Sequence, residues 1–179
     1  MDDLTLLADL LKKRNAIDEQ IAALIRRPAQ TGHIGEYIAS AIFGIRLHQS
    51  ASHGSSDGEF TSGPLAGYNV DVKFYLKHES ILDLNPDKPP DYYLVITGPK
   101  GTNNSSRDGV RPLAIESVFL FDGPKIIETL RQNGGKIGIA SGIRKEYWNA
   151  AEIYPHWNNK ILPMTNEQFA MLALFRLGV

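Results

Sequence analysis

The sequence predicts a mixed α/β domain built around a sheet. Apolar residues recur at three- and four-residue steps in four segments, which reads as helices, and alternate or run together in five others, which reads as strands. The strands fall mostly between the second and third helices. With 179 residues, the chain is long enough for one self-sufficient core and a small appendage. The expected division is 1–28, a helix for packing or dimerisation, and 29–179, the α/β domain.

Residues 3–27 form the first expected helix, with Leu4, Leu7, Leu10, Leu11, Ile17, Ile21, Leu24 and Ile25 on the helical repeat and Pro28 as its stop. Such a helix either packs on its own body or pairs with a second copy. A second helix starts at Thr31 as N-cap and ends near Gly44. Its expected buried stripe is Ile34, Tyr37, Ile38, Ala41 and Ile42, and small Gly32, Gly35 and Ala39 permit close approach to another element. Residues 45–48 read as a short strand, followed by a Ser/Gly/Asp/His loop to Gly58. Strands are expected at 68–76, 92–97 and 113–121. The intervening polar stretch, 98–112, is longer than ordinary loops and so reads as functional or mobile. Asp122 and Pro124 open a third helix that Gly134 and Gly135 close. A small-residue strand is expected at 136–140, while 141–160 has no clear period. Thr165 and Gln168 form a capping box ahead of a last helix whose apolar run to Leu177 predicts burial.

Composition excludes several functions. There are no cysteines, which removes disulfides, cysteine nucleophiles and cysteine zinc sites. The five histidines show no i, i+4 metal spacing. A net charge of -1 gives no overall attraction to nucleic acid or membrane, so any such attraction must be local. No stretch approaches the ~20 apolar residues that span a bilayer, and the start lacks the basic and apolar pattern of an export signal. The expected location is the cytoplasm, without a membrane partner.

The strand at 68–76 carries the chemistry. Val70, Val72, Phe74 and Leu76 share one face, and Asn69, Asp71, Lys73 and Tyr75 the other. The second face, expected to meet water, holds a carboxylate and an ammonium at i and i+2. A carboxylate can hold a hard divalent cation, and a neighbouring lysine can place a water beside it. Those are parts that phosphodiester hydrolysis needs. Further acids are Asp57 in the loop before the strand, with Glu59 as its alternative, and Glu36 on the second helix, off the apolar stripe.

An acid in a loop, an acid-x-lysine strand after it and a glutamate on a preceding helix resemble the restriction-endonuclease-like nucleases, the PD-(D/E)xK group. The matching positions are Asp57, Asp71-Val72-Lys73 and Glu36; Ser56 stands where that pattern often has proline. Residues 31–39 and 61–67 also look like segments of a small group of bacterial proteins. The resemblance implies a three-layer α/β/α fold with a central mixed sheet. It also implies Mg²⁺, or Mn²⁺, held by Asp57, Asp71 and the Val72 carbonyl, with Glu36 binding directly or through water. Lys73 would place the attacking water, the substrate would be DNA, and two subunits would be needed to cut both strands, with the N-terminal helix as a dimer contact. Lys100, Arg107 and Arg111 in the long loop form the best local basic patch for phosphate.

Plainer roles fit the same residues. Asp71 and Lys73 also read as an edge-strand ion pair, Glu36 as an acid favoured by a helix N-terminus, and Asp57-Gly58 as a turn. The competing function is a non-catalytic module on the same fold, binding nucleic acid or protein.

Overall fold

The computed structural model describes residues 2–49, 56–100 and 111–178. It is a mixed α/β structure that begins with a long helix and carries, among the described residues, five α-helices and a mixed sheet of six strands.

Helix α1 spans Asp3–Ile25 and is capped by the Asp2 carboxylate, which accepts from the Thr5 N–H at 2.7 Å. Only Ile25 is buried along it. Most of its leucines lie in solvent. Helix α2, Thr31–Phe43, has Gln30 rather than Thr31 at its N-cap position and ends at Gly44. Its buried face is Gly35, Ile38, Ala39, Ile42 and Phe43. Tyr37 and Ala41, expected inside, face outward.

Strands β1 (Ile45–Leu47) and β2 (Gly58–Phe60) pair antiparallel, and β2 pairs antiparallel with β3 (Asn69–Tyr75). The sequence reading did not anticipate β2. Gly58 also sits within it rather than in a turn: a Cβ there would lie 2.5 Å from the Arg46 carbonyl oxygen, so only glycine fits. Strand β3 runs parallel to β5 (Tyr92–Thr97). Beyond β5 come β6 (Ser117–Asp122) and β8 (Glu152–Tyr154), each antiparallel to its neighbour, giving the order β1-β2-β3-β5-β6-β8. A parallel pair needs a crossover. The one between β3 and β5 contains the two-residue strand β4 (Ile81–Leu82), which pairs with β7 (Ser141–Gly142) in a small second sheet.

Alternation along the strands sends side chains to two apolar clusters. One gathers Val70, Val72, Phe74, Leu94 and Ile96 with Ile38 and Ile42 of α2, and with Leu172 of α5 (Asn166–Ala173). Trp157 packs against this cluster. The other gathers Tyr93, Val95, Phe119 and Phe121 with Ile126, Ile127 and Leu130 of α3 (Gly123–Gln132), and with Trp148 of α4 (Lys145–Ala151). Trp148 stands edge-on to Phe119 and Phe121, with ring centres 4.7 and 4.9 Å away.

Three further expectations need correction. No strand forms at 136–140; Gly138 and Ala140 take positive φ, and the Ala140 N–H is held by Asp83 at 2.7 Å. The strand expected from 113 begins at Ser117. The C-terminal run is not largely buried: α5 buries Leu172, while Leu174 and Leu177 are exposed. The Thr165–Gln168 capping box is present. No helix among the described residues is long and apolar enough to cross a membrane.

Candidate functional site

The proposed residues meet where β2 ends and the edge of β3 opens. Register pairs Gly58 with Val70, so Asp57 comes level with Asp71. Its backbone N–H still donates to the Val70 carbonyl at 2.9 Å. After that β2 supplies no further rung. The Asp57 carboxylate takes its place and accepts from the Val72 N–H at 2.8 Å. The N–H and C=O of one strand residue point to the same side, so the Val72 carbonyl faces this edge as well.

Asp71 and Lys73 project from the sheet face that carries Tyr93 and Val95, their register partners on β5. That face does not meet water as the alternation predicted. The crossover after β3 lies over it: the Asp83 N–H donates to the Tyr75 hydroxyl at 3.0 Å, and the Asn85 N–H to the Tyr93 hydroxyl at 2.9 Å. Asp71 is therefore only 9% exposed. Its carboxylate accepts from the Lys73 ammonium at 2.9 Å.

Burial pushes the Asp71 carboxyl up to about 7; the Lys73 ammonium opposes that rise, and the neighbouring Asp57 carboxylate adds to it. The physical situation is two acids sharing a partly dry site with one lysine.

Glu36 reaches the same neighbourhood from α2, which lies on the opposite sheet face. Close approach makes this possible. A Cβ on Gly35 would sit 2.8 Å from the Phe74 Cβ, so glycine lets the helix press onto β3 and puts the next residue at its edge. Burial raises the Glu36 carboxyl, the Asp57 charge raises it further, and Arg27 works against both. Arg27 forms an ion pair and hydrogen bond with Glu36. Glu59, the alternative loop acid, is turned to Arg46 across β1 and β2 and makes its ion pair there.

The structure thus brings Asp57, Asp71 and Lys73 together and sets Glu36 within the electrostatic reach of Asp57. Among the described residues, no group of three or more His, Asp or Glu side chains is disposed to hold a metal ion. What converges is a pair of carboxylates with a backbone carbonyl on the same edge. Lys100, just past β5, lines an open cavity with His78, Lys145 and Trp148. Arg111 is exposed. Arg107 lies outside the described residues.

Sequence reasoning missed Arg27. Its signal was the basic pair Arg26-Arg27 between α1 and Pro28, at the end of one helix and a turn before the acid of the next. It also missed Tyr75 and Asp83, which hold the crossover over Asp71 (hydroxyl to carboxylate, 3.2 Å). Searches against protein-family models and against curated proteins find no significant match to the chain.

Proposed function

We propose that the chain is a divalent-metal-dependent phosphodiester hydrolase acting on DNA, an endonuclease on a restriction-endonuclease-like, three-layer α/β/α fold. Apolar clusters on both faces of one sheet, each closed by helices, support the layered reading. The observation that carries the chemistry is the meeting of Asp57, Asp71 and Lys73 at the open edge of β3, with the Asp71 carboxyl raised by burial and by a second acid.

Two adjacent carboxylates that resist being charged together are suited to a cation. Mg²⁺ commonly takes one or two carboxylates, retains waters and completes its shell with substrate phosphate. Asp57, Asp71 and the Val72 carbonyl fit that donor set, and Mn²⁺ has the same preferences. Bound there, the ion supplies a Lewis acid for the phosphoryl oxygen. The side chains do the rest. Asp71 fixes the Lys73 ammonium at 2.9 Å, which leaves its remaining N–H groups to orient a water for in-line attack and to offset charge that develops on phosphate. Asp57 locks the strand edge through the Val72 N–H. Glu36 assists from the helix side, directly or through water. Lys100, Arg107 and Arg111 are the proposed phosphate contacts, and the near-zero net charge predicts weak binding to DNA without the ion.

The Arg27–Glu36 pair favours a second reading, because it ties up one of the acids. On that reading the charged groups are a structural network in a non-catalytic nucleic-acid- or protein-binding module.

Cleavage of supercoiled plasmid in Mg²⁺ or Mn²⁺ decides between them. The nuclease reading expects nicking that falls by about 10²-fold or more in Lys73→Ala, in line with loss of a positioned proton-handling group, while circular dichroism stays native. Undiminished cleavage in that variant overturns the assignment of Lys73. Absence of both cleavage and Mg²⁺ binding by titration calorimetry selects the binding module.

A further inference from the structure

A cavity of about 820 Å³ opens past the ends of β3 and β5. One wall begins with a close approach. The Gly98 N–H donates to the Tyr75 carbonyl at 2.8 Å, and a Cβ on Gly98 would lie 2.2 Å from the Leu76 carbonyl oxygen. Glycine therefore keeps the chain leaving β5 tight against the end of β3, and Lys100 reaches the cavity two residues later. Helix α4 supplies another wall. Lys145, Trp148, Asn149 and Glu152 follow at helical spacing on one face, and all four line the cavity. The His78 ring packs 4.7 Å from Trp148 and 5.3 Å from Phe119, so part of the lining is aromatic. The volume falls in the range of roughly 300–1,000 Å³ that small-molecule sites occupy.

Two features of this cavity call for a ligand. The first is a hydrogen-bond donor. The Trp148 indole N–H is buried and has no acceptor, the one such side-chain atom among the described residues. A buried donor left unpaired costs about 1–3 kcal/mol, and the cavity that Trp148 lines gives an acceptor from outside the chain a way in. The second is charge. Both acids of the lining are engaged: Glu116 accepts from Arg176 at 2.7 Å, and Glu152 lies 3.4 Å from the His156 ring nitrogen and accepts from the Asn158 amide at 3.3 Å. Lys100 and Lys145 form no ion pair among the described residues. Two ammonium groups are thus left to face a ligand, and a phosphate monoester, mostly a dianion near neutral pH, matches them in charge.

We propose that this cavity binds a phosphate monoester, with Lys100 and Lys145 holding the phosphate, the organic group lying against the aromatic lining and an oxygen of the ligand accepting from the Trp148 N–H. The site is separate from the one at Asp71. Asp71 is level with Tyr93, four residues before Thr97 at the end of β5, which is roughly 13 Å along a strand. Binding here requires no metal and no hydrolysis, and it is measured without either.

The probes are phenyl phosphate and a decathymidylate with or without a 5′-phosphate, because a free ester and a strand end present the same group. Titration calorimetry at about pH 7.5, in metal-free buffer of constant ionic strength, is expected to give a dissociation constant of about 1 mM or tighter for at least one phosphorylated probe. The constant should weaken about tenfold in Lys100→Gln and again in Lys145→Gln; both side chains are exposed, so native dichroism is expected. The His78 ring resonances, assigned with His78→Gln, should shift on saturation. Phenyl phosphate binding as tightly as the phosphorylated decamer makes the natural ligand a free small ester. A phosphorylated decamer that binds more tightly than both phenyl phosphate and the unphosphorylated decamer makes it a strand end. No binding of either phosphorylated probe at about 5 mM, well above that constant, overturns the proposal. So does binding that is unchanged in Lys100→Gln/Lys145→Gln or that leaves His78 unmoved.

Discussion

Helices α1 and α3 both carry enough apolar residues to cover a sheet face, yet only α3 does so. In 10 residues α3 buries Gly123, Ile126, Ile127 and Leu130, whereas α1 has 23 and buries Ile25. The difference lies in how each is joined to the sheet. Helix α3 follows β6 directly, and the Asp122 carboxylate that ends the strand caps the helix through the Lys125 N–H at 2.9 Å. The chain has no slack, so the helix must lie back on Phe119 and Phe121. Helix α1 joins the body only through the turn before α2. Helical periodicity therefore reports that a face exists, while connectivity decides what covers it.

Truncations break or sharpen that contrast. The largest effect is expected for Ile127→Ala, which empties space in the second core and costs about 2–5 kcal/mol in urea unfolding. Gly35→Ala tests the close contact of α2 with β3. The added methyl meets the Phe74 Cβ at 2.8 Å, and a loss of about 1–3 kcal/mol is expected; the proposed nuclease function adds the expectation that Mg²⁺-dependent nicking falls as Glu36 moves off the strand edge. No loss in either assay would show that the helix has room to shift.

His78 gives a smaller, pH-dependent effect on the covered side. Burial lowers its affinity for a proton from the usual 6.5, and the Lys100 charge adds to this. Folding then binds fewer protons than the unfolded chain does, so this contribution to stability is complete above about 6.5 and declines as pH falls below it. The wild-type protein should lose stability relative to His78→Gln as pH drops from 7.5 to 5.5, roughly the span around that value. A pH-independent difference between the two would remove His78 from the account. The smallest effect belongs to α1: Leu4 is 76% exposed, and Leu4→Ala should stay within about 0.5 kcal/mol.

Much of the fold was legible because the long elements signal themselves. Strand β3 alternates over seven residues, and α5 declares its start with Thr165 and Gln168. The short elements do not. Strands β2, β4, β7 and β8 have two or three residues each, too few for a period, and exist because a partner strand lies beside them. The 136–140 segment is apolar enough to read as a strand, but it is held by Asp83 from a distant segment. At the site, the i, i+2 spacing of Asp71 and Lys73 put both on one face. Nothing local said that residues 76–91 would cover that face and turn a surface ion pair into a half-buried one. Glu59 and Asp57 were interchangeable in sequence; Arg46 across the strand pair distinguishes them by engaging Glu59.

The two tryptophans stand on opposite sides of the sheet, in unlike surroundings. Trp148 is 3% exposed and ringed by Phe119 and Phe121. Trp157 is half-buried beside the other cluster, donates to the Leu162 carbonyl at 3.2 Å and carries the Lys160 ammonium 3.9 Å above its ring. Intrinsic fluorescence consequently has two addresses. Trp157→Phe leaves emission from the α3/α4 side alone, and Trp148→Phe leaves emission from the α2/α5 side. Coincident denaturation midpoints from the two proteins, after correction for their stabilities, would mean that both faces melt as one unit. Separated midpoints would make the sheet a boundary between two cooperative units that share a backbone.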